Sequence, residues 1–204
     1  MLYDITPAIT PALAVWPGDT PPSREVLLDL GRGDSVTLST LRSTVHLGAH
    51  ADAPSHYGAG AATIDRRPLD LYLGPCQVLR VEAERGPRLL PRILSEPIRA
   101  SRVLFATGSA PDPCRFREDF VALSPELIEL LHEQGVRLVG IDTPSVDPFD
   151  SRDLPAHRAC LRHDLAILEG LALDGVPAGT YELIALPLRL VGFDASPVRA
   201  VLRV

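Results

Sequence analysis

His46-Leu47-Gly48-Ala49-His50-Ala51-Asp52-Ala53-Pro54-Ser55-His56 places three imidazoles and one carboxylate within eleven residues, with only small or apolar residues between them. Zinc and its neighbours accept imidazole nitrogen at ~2.0 to 2.1 Å and carboxylate oxygen at a similar distance, so ligands must converge closely. The four polar positions are all even-numbered, and a straight strand would set them on one face. That strand would also spread His46 and Asp52 over ~20 Å at about 3.3 Å per residue, too far to share one ion. The backbone therefore has to bend inside the motif. Gly48 can take conformations closed to other residues, the alanines let backbone approach a site, and Pro54 fixes a turn. The expectation is a strand that ends near His46, followed by a tight loop carrying the ligands.

A catalytic zinc usually takes three protein ligands and leaves a position open for water. This cluster offers four, so either one member moves protons or a second ion is present. Cysteine plays no part: Cys76, Cys114 and Cys160 are odd in number and widely spaced, which indicates neither disulfides nor a thiolate zinc site and reads as small hydrophobes.

At 204 residues the chain fits one domain, 1–204, with a proper core. A net charge of -6 argues against a nucleic-acid partner, which would need a basic face. All twenty basic residues are arginine, a composition bias without functional content. No stretch approaches the ~20 apolar residues of a membrane span and no secretory leader is visible at the N-terminus, so a cytoplasmic protein without membrane contact is expected.

Outward from the motif, residues 2–5, 25–30 and 36–45 read as strands, the last delivering His46. The glycine- and alanine-rich run 57–63 reads as a loop over the pocket and is not a phosphate loop, because the lysine and glycine spacing are absent. Residues 77–82 and 103–107 read as sheet strands, with 109–117 irregular between them and the next helix. Ser124-Pro125-Glu126 starts that helix with a serine cap and Gly135 ends it; His132 on it reads as solvated. The apolar run 136–142 is expected to be a buried central strand. It leads into a proline-punctuated loop in which Asp142 and Asp147 either form turns or accept the second ring N–H of a ligand histidine. Residues 183–190 and 198–204 complete the sheet. The fold class is α/β, with much mixed or antiparallel sheet.

The motif around His46 is similar to the His-x-Gly-Thr/Ala-His-x-Asp-x-Pro-x-His signature of the metal-dependent cyclase-like hydrolases, and within that family it most resembles the kynurenine formamidase (arylformamidase) branch. The similarity extends to Trp16-Pro17-Gly18-Asp19-Thr20-Pro21, to Gly140-Ile141-Asp142-Thr143-Pro144-Ser145-Val146-Asp147-Pro148, to His157 with Ile167-Leu168-Glu169-Gly170-Leu171, and to the tail 181–203. It implies a swivelling β/β/α fold and a homodimer. It also implies two zinc ions per subunit, with manganese or cobalt as substitutes, held by His46, His50 and Asp52 on one side and His157 on the other. Asp52 and Glu169 would bridge them. His56 would be the proton carrier, and Trp16, otherwise readable as a packing residue, would contact an aromatic substrate. The implied reaction is hydrolysis of N-formyl-L-kynurenine to L-kynurenine and formate in tryptophan catabolism, by attack of a metal-activated water. Ala49, where many relatives have threonine, removes a hydroxyl but no ligand.

The nearest rival is hydrolysis of a cyclic amide or imide of the isatin type; a non-catalytic metal-binding module is the rival from another class. A serine nucleophile is disfavoured by the absence of a Gly-x-Ser-x-Gly elbow. On one continuous helix His157 and Glu169 would stand ~18 Å apart along the axis and about 120° apart around it. The helix from Pro155 is therefore expected to end near His163-Asp164, with 165–169 turning back to the site. His163 rivals His157 on spacing alone; the resemblance selects His157.

Overall fold

The computed structural model describes residues 1–81 and 88–204. Its strands, numbered in chain order, are β1 Leu2–Asp4, β2 Ser23–Leu28, β3 Leu38–Arg42, β4 His50–Asp52, β5 Leu73–Arg80, β6 Arg88–Leu89, β7 Arg102–Ala106, β8 Ala122–Leu123, β9 Leu138–Ile141, β10 Ala166–Glu169, β11 Gly179–Ile184, β12 Ala195–Pro197 and β13 Val201–Arg203. The helices are α1 Pro125–Glu133 and α2 Pro155–His163. Among the described residues nine strands form one sheet, in the order β1-β13-β11-β5-β7-β9-β10-β4-β12. β5, β7, β9 and β10 run parallel, and the flanking strands pair antiparallel. The class is α/β with a large mixed sheet and few helices, as expected.

Period-two alternation sends successive side chains of the parallel strands to opposite cores. Leu104, Leu138 and Leu168 face one core with Ile5, Tyr72 and Leu202. Val103, Phe105, Val139, Ile141 and Ile167 face the other, where Leu127, Ile128 and Leu131 of α1 and Ala156, Ala159 and Cys160 of α2 cover the sheet. Helix α1 begins as its sequence dictates: the Ser124 hydroxyl accepts from Leu127 N at 3.1 Å, Pro125 occupies the first turn, and Gly135 at φ 82° follows its end. Helix α2 stops at Asp164 in the left-handed region, and β10 returns the chain to the site.

Several local expectations are corrected. The strand after the first hairpin turn stops at Arg42, so His46 sits in a bend and the strand at the site is β4 itself. Its two neighbours, β10 and β12, supply the ladder that makes His50–Asp52 extended. The strand expected at 77–82 begins at Leu73 and ends at Arg80; Glu82 lies outside the described residues. The one expected at 183–190 ends at Ile184, with a proline-broken segment beyond. The run 57–63 is a loop, but it packs against α2, where a Cβ on Gly58 would meet Leu161 Cδ2 at 2.8 Å, and it does not line the cavity.

β2 and β3 form a separate two-stranded hairpin whose leucines, Leu27, Leu28, Leu38 and Leu41, are exposed.

Candidate metal centre

The site lies at one end of the sheet, where β4 and β10 pair with Glu169 opposite His50 and Ile167 opposite Asp52. Two-residue spacing puts His50 and Asp52 on one face of β4 while Ala51 enters the core on the other. Gly48 turns the chain before the strand at φ 55°, and its carbonyl accepts the Nδ1 proton of His50 at 2.9 Å. Gly170 makes that approach possible. A Cβ there would fall 2.2 Å from the Gly48 oxygen, and its φ of 65° suits glycine.

Four polar side chains are held almost out of water: His50 is 4% exposed, Asp52 1%, His157 3% and Glu169 3%. Asp52 Oδ1 stands 3.1 Å from His46 Nδ1 and 3.5 Å from His50 Nε2, while Oδ2 stands 3.5 Å from His157 Nε2. Glu169 repeats the pattern, with Oε2 3.4 Å from His50 Nε2 and Oε1 3.6 Å from His157 Nε2. Each carboxylate thus turns one oxygen to His50 and the other to His157. Glu169 is fixed in this pose by Val146 N, which donates to Oε1 at 2.7 Å.

The outer nitrogens of the histidines are anchored. His157 Nδ1 donates to Asp147 Oδ2 at 2.8 Å, and the same carboxylate accepts from the backbone N–H of Ala156 and His157. Asp147 therefore caps α2, whose Leu154 offers no side-chain cap, and also aims the His157 ring. Arg88 holds Asp147 from behind at 2.7 Å. Asp142, by contrast, accepts from Thr107 and Gly108 and builds a turn. His163 pairs with Glu129 and stacks on His132, whereas His157 faces Asp52 and Glu169.

Burial opposes charge on these rings, yet the neighbouring carboxylates prevail. Desolvation lowers the His46 pKa, but the neighbouring carboxylates of Asp52 and Asp194 raise it to about 9. His157 is likewise raised to about 10 against its burial, by Asp147 and Asp52. Burial disfavours the Asp52 carboxylate, and its histidine neighbours hold its pKa well below the usual range nonetheless. The pocket demands positive charge. His50 Nε2 and both oxygens of Asp52 are buried with no hydrogen-bond partner, the state of atoms built to meet a cation. The ligating atoms of His50, Asp52 and Glu169 lie within 4.8 Å of one another, as do those of His46, Asp52 and His56. Residues and geometry fit divalent ions bound through nitrogen and oxygen.

His56, in a 3-10 turn after Pro54, is more exposed and lies at the edge of the cluster, its ring centroid 4.3 Å from that of His46. Its Nδ1 faces Asp194 Oδ2 at 3.3 Å, and the same oxygen faces His46 Nε2 at 3.0 Å. Sequence reasoning missed Asp194. It belongs to the tail 181–203 but carries no neighbouring histidine to mark it, and only the pairing of β12 with β4, Ala195 opposite Asp52, brings it to the site.

These groups open into a cavity of about 760 Å³. Trp16 and Phe116 line it, with ring centroids 5.4 Å apart, and Phe149 backs Trp16 at 5.1 Å. No helix among the described residues is long and apolar enough to cross a membrane.

A structure described as a potential metal-dependent hydrolase with cyclase activity is 29% identical to this chain, with TM-score 0.86 over 99% of this chain and 96% of that one. A predicted metal-dependent hydrolase from Bacillus stearothermophilus is also 29% identical, with TM-score 0.84 over 99% and 97%. Isatin hydrolase A from Labrenzia aggregata is 25% identical, with TM-score 0.84 over 99% and 93%. Residues 3–148, most of the chain and all of the His46–His56 motif, match the Cyclase family model, and with the buried His, Asp and Glu cluster this places the protein in the Cyclase family, as an enzyme of metal-dependent hydrolase type.

Proposed function

We propose that this protein is a zinc-dependent arylformamidase that converts N-formyl-L-kynurenine and water to L-kynurenine and formate, a step of tryptophan breakdown. The observation that carries the reading is the two-sided presentation of Asp52 and Glu169. His46, His50, Asp52, His157 and Glu169 would hold the ions. Bound there, the ions would supply the positive charge that makes a water nucleophilic and offsets negative charge on the formyl oxygen.

The chain's own groups handle the protons and the substrate. An anilide nitrogen leaves poorly until it is protonated. His56, on the cavity side of the cluster, takes a proton from the attacking water and gives it to the departing aniline. Histidine suits both halves of that transfer near neutral pH. Asp194 at Nδ1 leaves Nε2 of His56 to do this work. The aryl ring stacks along Trp16 and Phe116.

Opening of the cyclic amide of isatin is the second reading, supported by the likeness to isatin hydrolase A. Both reactions use the same proton traffic. Metal analysis of purified protein, followed by absorbance assays with formylkynurenine and isatin in parallel, separates them. Faster turnover of formylkynurenine is expected; preference for isatin moves the assignment to the second reading, and inertness of metal-replete protein toward both overturns each.

We further propose a homodimer. A lone two-stranded hairpin is marginally stable in water, and β2–β3 carries exposed Leu27, Leu28, Leu38 and Leu41, apolar surface that a second copy would cover. Light scattering of eluted protein tests this, with a monomer mass counting against it.

A further inference from the structure

The cavity continues past the metal centre along the carboxyl edge of the parallel strands. Arg80 of β5 is paired with Ala106 of β7, Phe105 with Ile141 of β9, and Gly140 with Leu168 of β10. Carried one step on, these registers align Arg80, Ala106, Asp142 and Gly170 in a row, and all four line the cavity. With strands ~4.8 Å apart, the Arg80 backbone is ~14 Å from Gly170, the residue after Glu169.

Most charged groups on the cavity wall are already engaged. Arg117 is held by Asp119 at 2.9 and 2.7 Å, Asp142 by Thr107 and Gly108, and Asp112 by the Cys114 amide. Arg80 and Asp174 form no ion pair among the described residues. One terminal nitrogen of Arg80 donates to the carbonyls of Val176 at 3.0 Å and Leu173 at 3.4 Å, which fixes the guanidinium; its other nitrogens have no partner among the described residues. Those two carbonyls flank the turn that carries Asp174, closed by Val176 N on Leu173 O at 3.2 Å with Gly175 at φ 72°. A positioned guanidinium and a carboxylate without an ion pair among the described residues thus share one end of the cavity. Arg115, the other cation of the wall without an ion pair among the described residues, is exposed like Arg80 and Asp174, but nothing among the described residues holds its guanidinium.

We propose that Arg80 and Asp174 form an amino-acid subsite, in which the guanidinium takes the α-carboxylate of the substrate and Asp174 takes its α-ammonium. The inference rests on the arylformamidase reading and names the groups that would select a formylated aryl amino acid over a bare aryl amide or isatin. A guanidinium fork matches a carboxylate geometrically, and a carboxylate beside it complements the zwitterion.

The test compares kcat/KM for N-formyl-L-kynurenine, its analogue lacking the α-amine, and formanilide, in the metal-replete wild type and in Arg80→Ala, Arg80→Lys, Asp174→Ala and Arg115→Ala. Arg80→Ala is expected to lower the ratio of formylkynurenine to formanilide roughly 10- to 100-fold, mainly through KM, with partial recovery in Arg80→Lys. Asp174→Ala is expected to erase the preference for the amine-bearing substrate over its analogue. Formanilide turnover reports folding and chemistry in every variant. Unchanged ratios in the Arg80 variants, or a loss carried by Arg115→Ala instead, overturn the subsite while leaving the arylformamidase reading in place. Inertness of the wild type toward all three compounds overturns both.

Discussion

His56 Nδ1 and Asp194 Oδ2 are 3.3 Å apart, and the same oxygen stands 3.0 Å from His46 Nε2, so one carboxylate joins the proposed proton carrier to a proposed metal ligand. His56→Ala should retain bound metal and lose ~10²-fold or more in kcat, as expected when a general acid-base is removed. Metal content measured beside the rate decides the role. Since ligating atoms of His46, Asp52 and His56 lie within 4.8 Å of one another, loss of an ion together with the rate would make His56 a ligand. Asp194→Asn should lower kcat by about 10-fold or more with metal retained, because the amide no longer fixes the tautomer and orientation of the ring.

Metal uptake should release protons. With His46 raised to about 9 and His157 to about 10 in the metal-free fold, both rings are protonated at pH 8, and an ion can bind only their neutral forms. Titration calorimetry in buffers of different ionisation enthalpy should show net release at pH 8, with apparent affinity rising as pH rises toward 10. Affinity independent of pH between 7 and 9 would contradict this.

The same groups set the stability of the chelated protein. Each histidine binds its proton more tightly folded than unfolded, so its stabilising contribution is complete below pH 6.5 and gone once pH passes the raised value, about 9 or about 10. Urea midpoints of metal-free protein should therefore fall from pH 6.5 to 10, and added zinc should flatten that slope.

Asp147→Asn tests the anchoring of His157. The amide cannot serve Arg88, the α2 backbone and the His157 ring as one carboxylate does. Metal affinity should drop roughly 10- to 100-fold.

Gly170→Ala should destabilise the fold by more than ~2 kcal/mol, because its Cβ would collide with the Gly48 carbonyl and the residue holds a positive φ. Chemical denaturation checks it; a neutral result would mean that the 48–50 turn can move without loss.

How far the sequence could be read follows from what each signal depends on. Helix α1 was legible because Ser124, Pro125 and Gly135 are local signals, and the stop of α2 before β10 followed from the distance that a continuous helix would put between His157 and Glu169. The bend that the spacing demanded is present, and Gly48 supplies it, sparing His46 the length of a straight strand. Reading β4 as a loop failed because its extended form is imposed by β10 and β12, far away in the chain. Asp194 was hidden for the same reason: sheet register, which no short window contains, brings it beside His46 and His56.

The inward oxygens and nitrogens of the centre come from β4 and, on the order of a hundred residues further along the chain, from α2 and β10. An ion seated there is consequently a clasp as well as a reagent, closing a long loop that the unfolded chain would otherwise leave open. Scarcity of the metal would then be felt twice, once as idle catalyst and again as a polypeptide more readily opened to proteases.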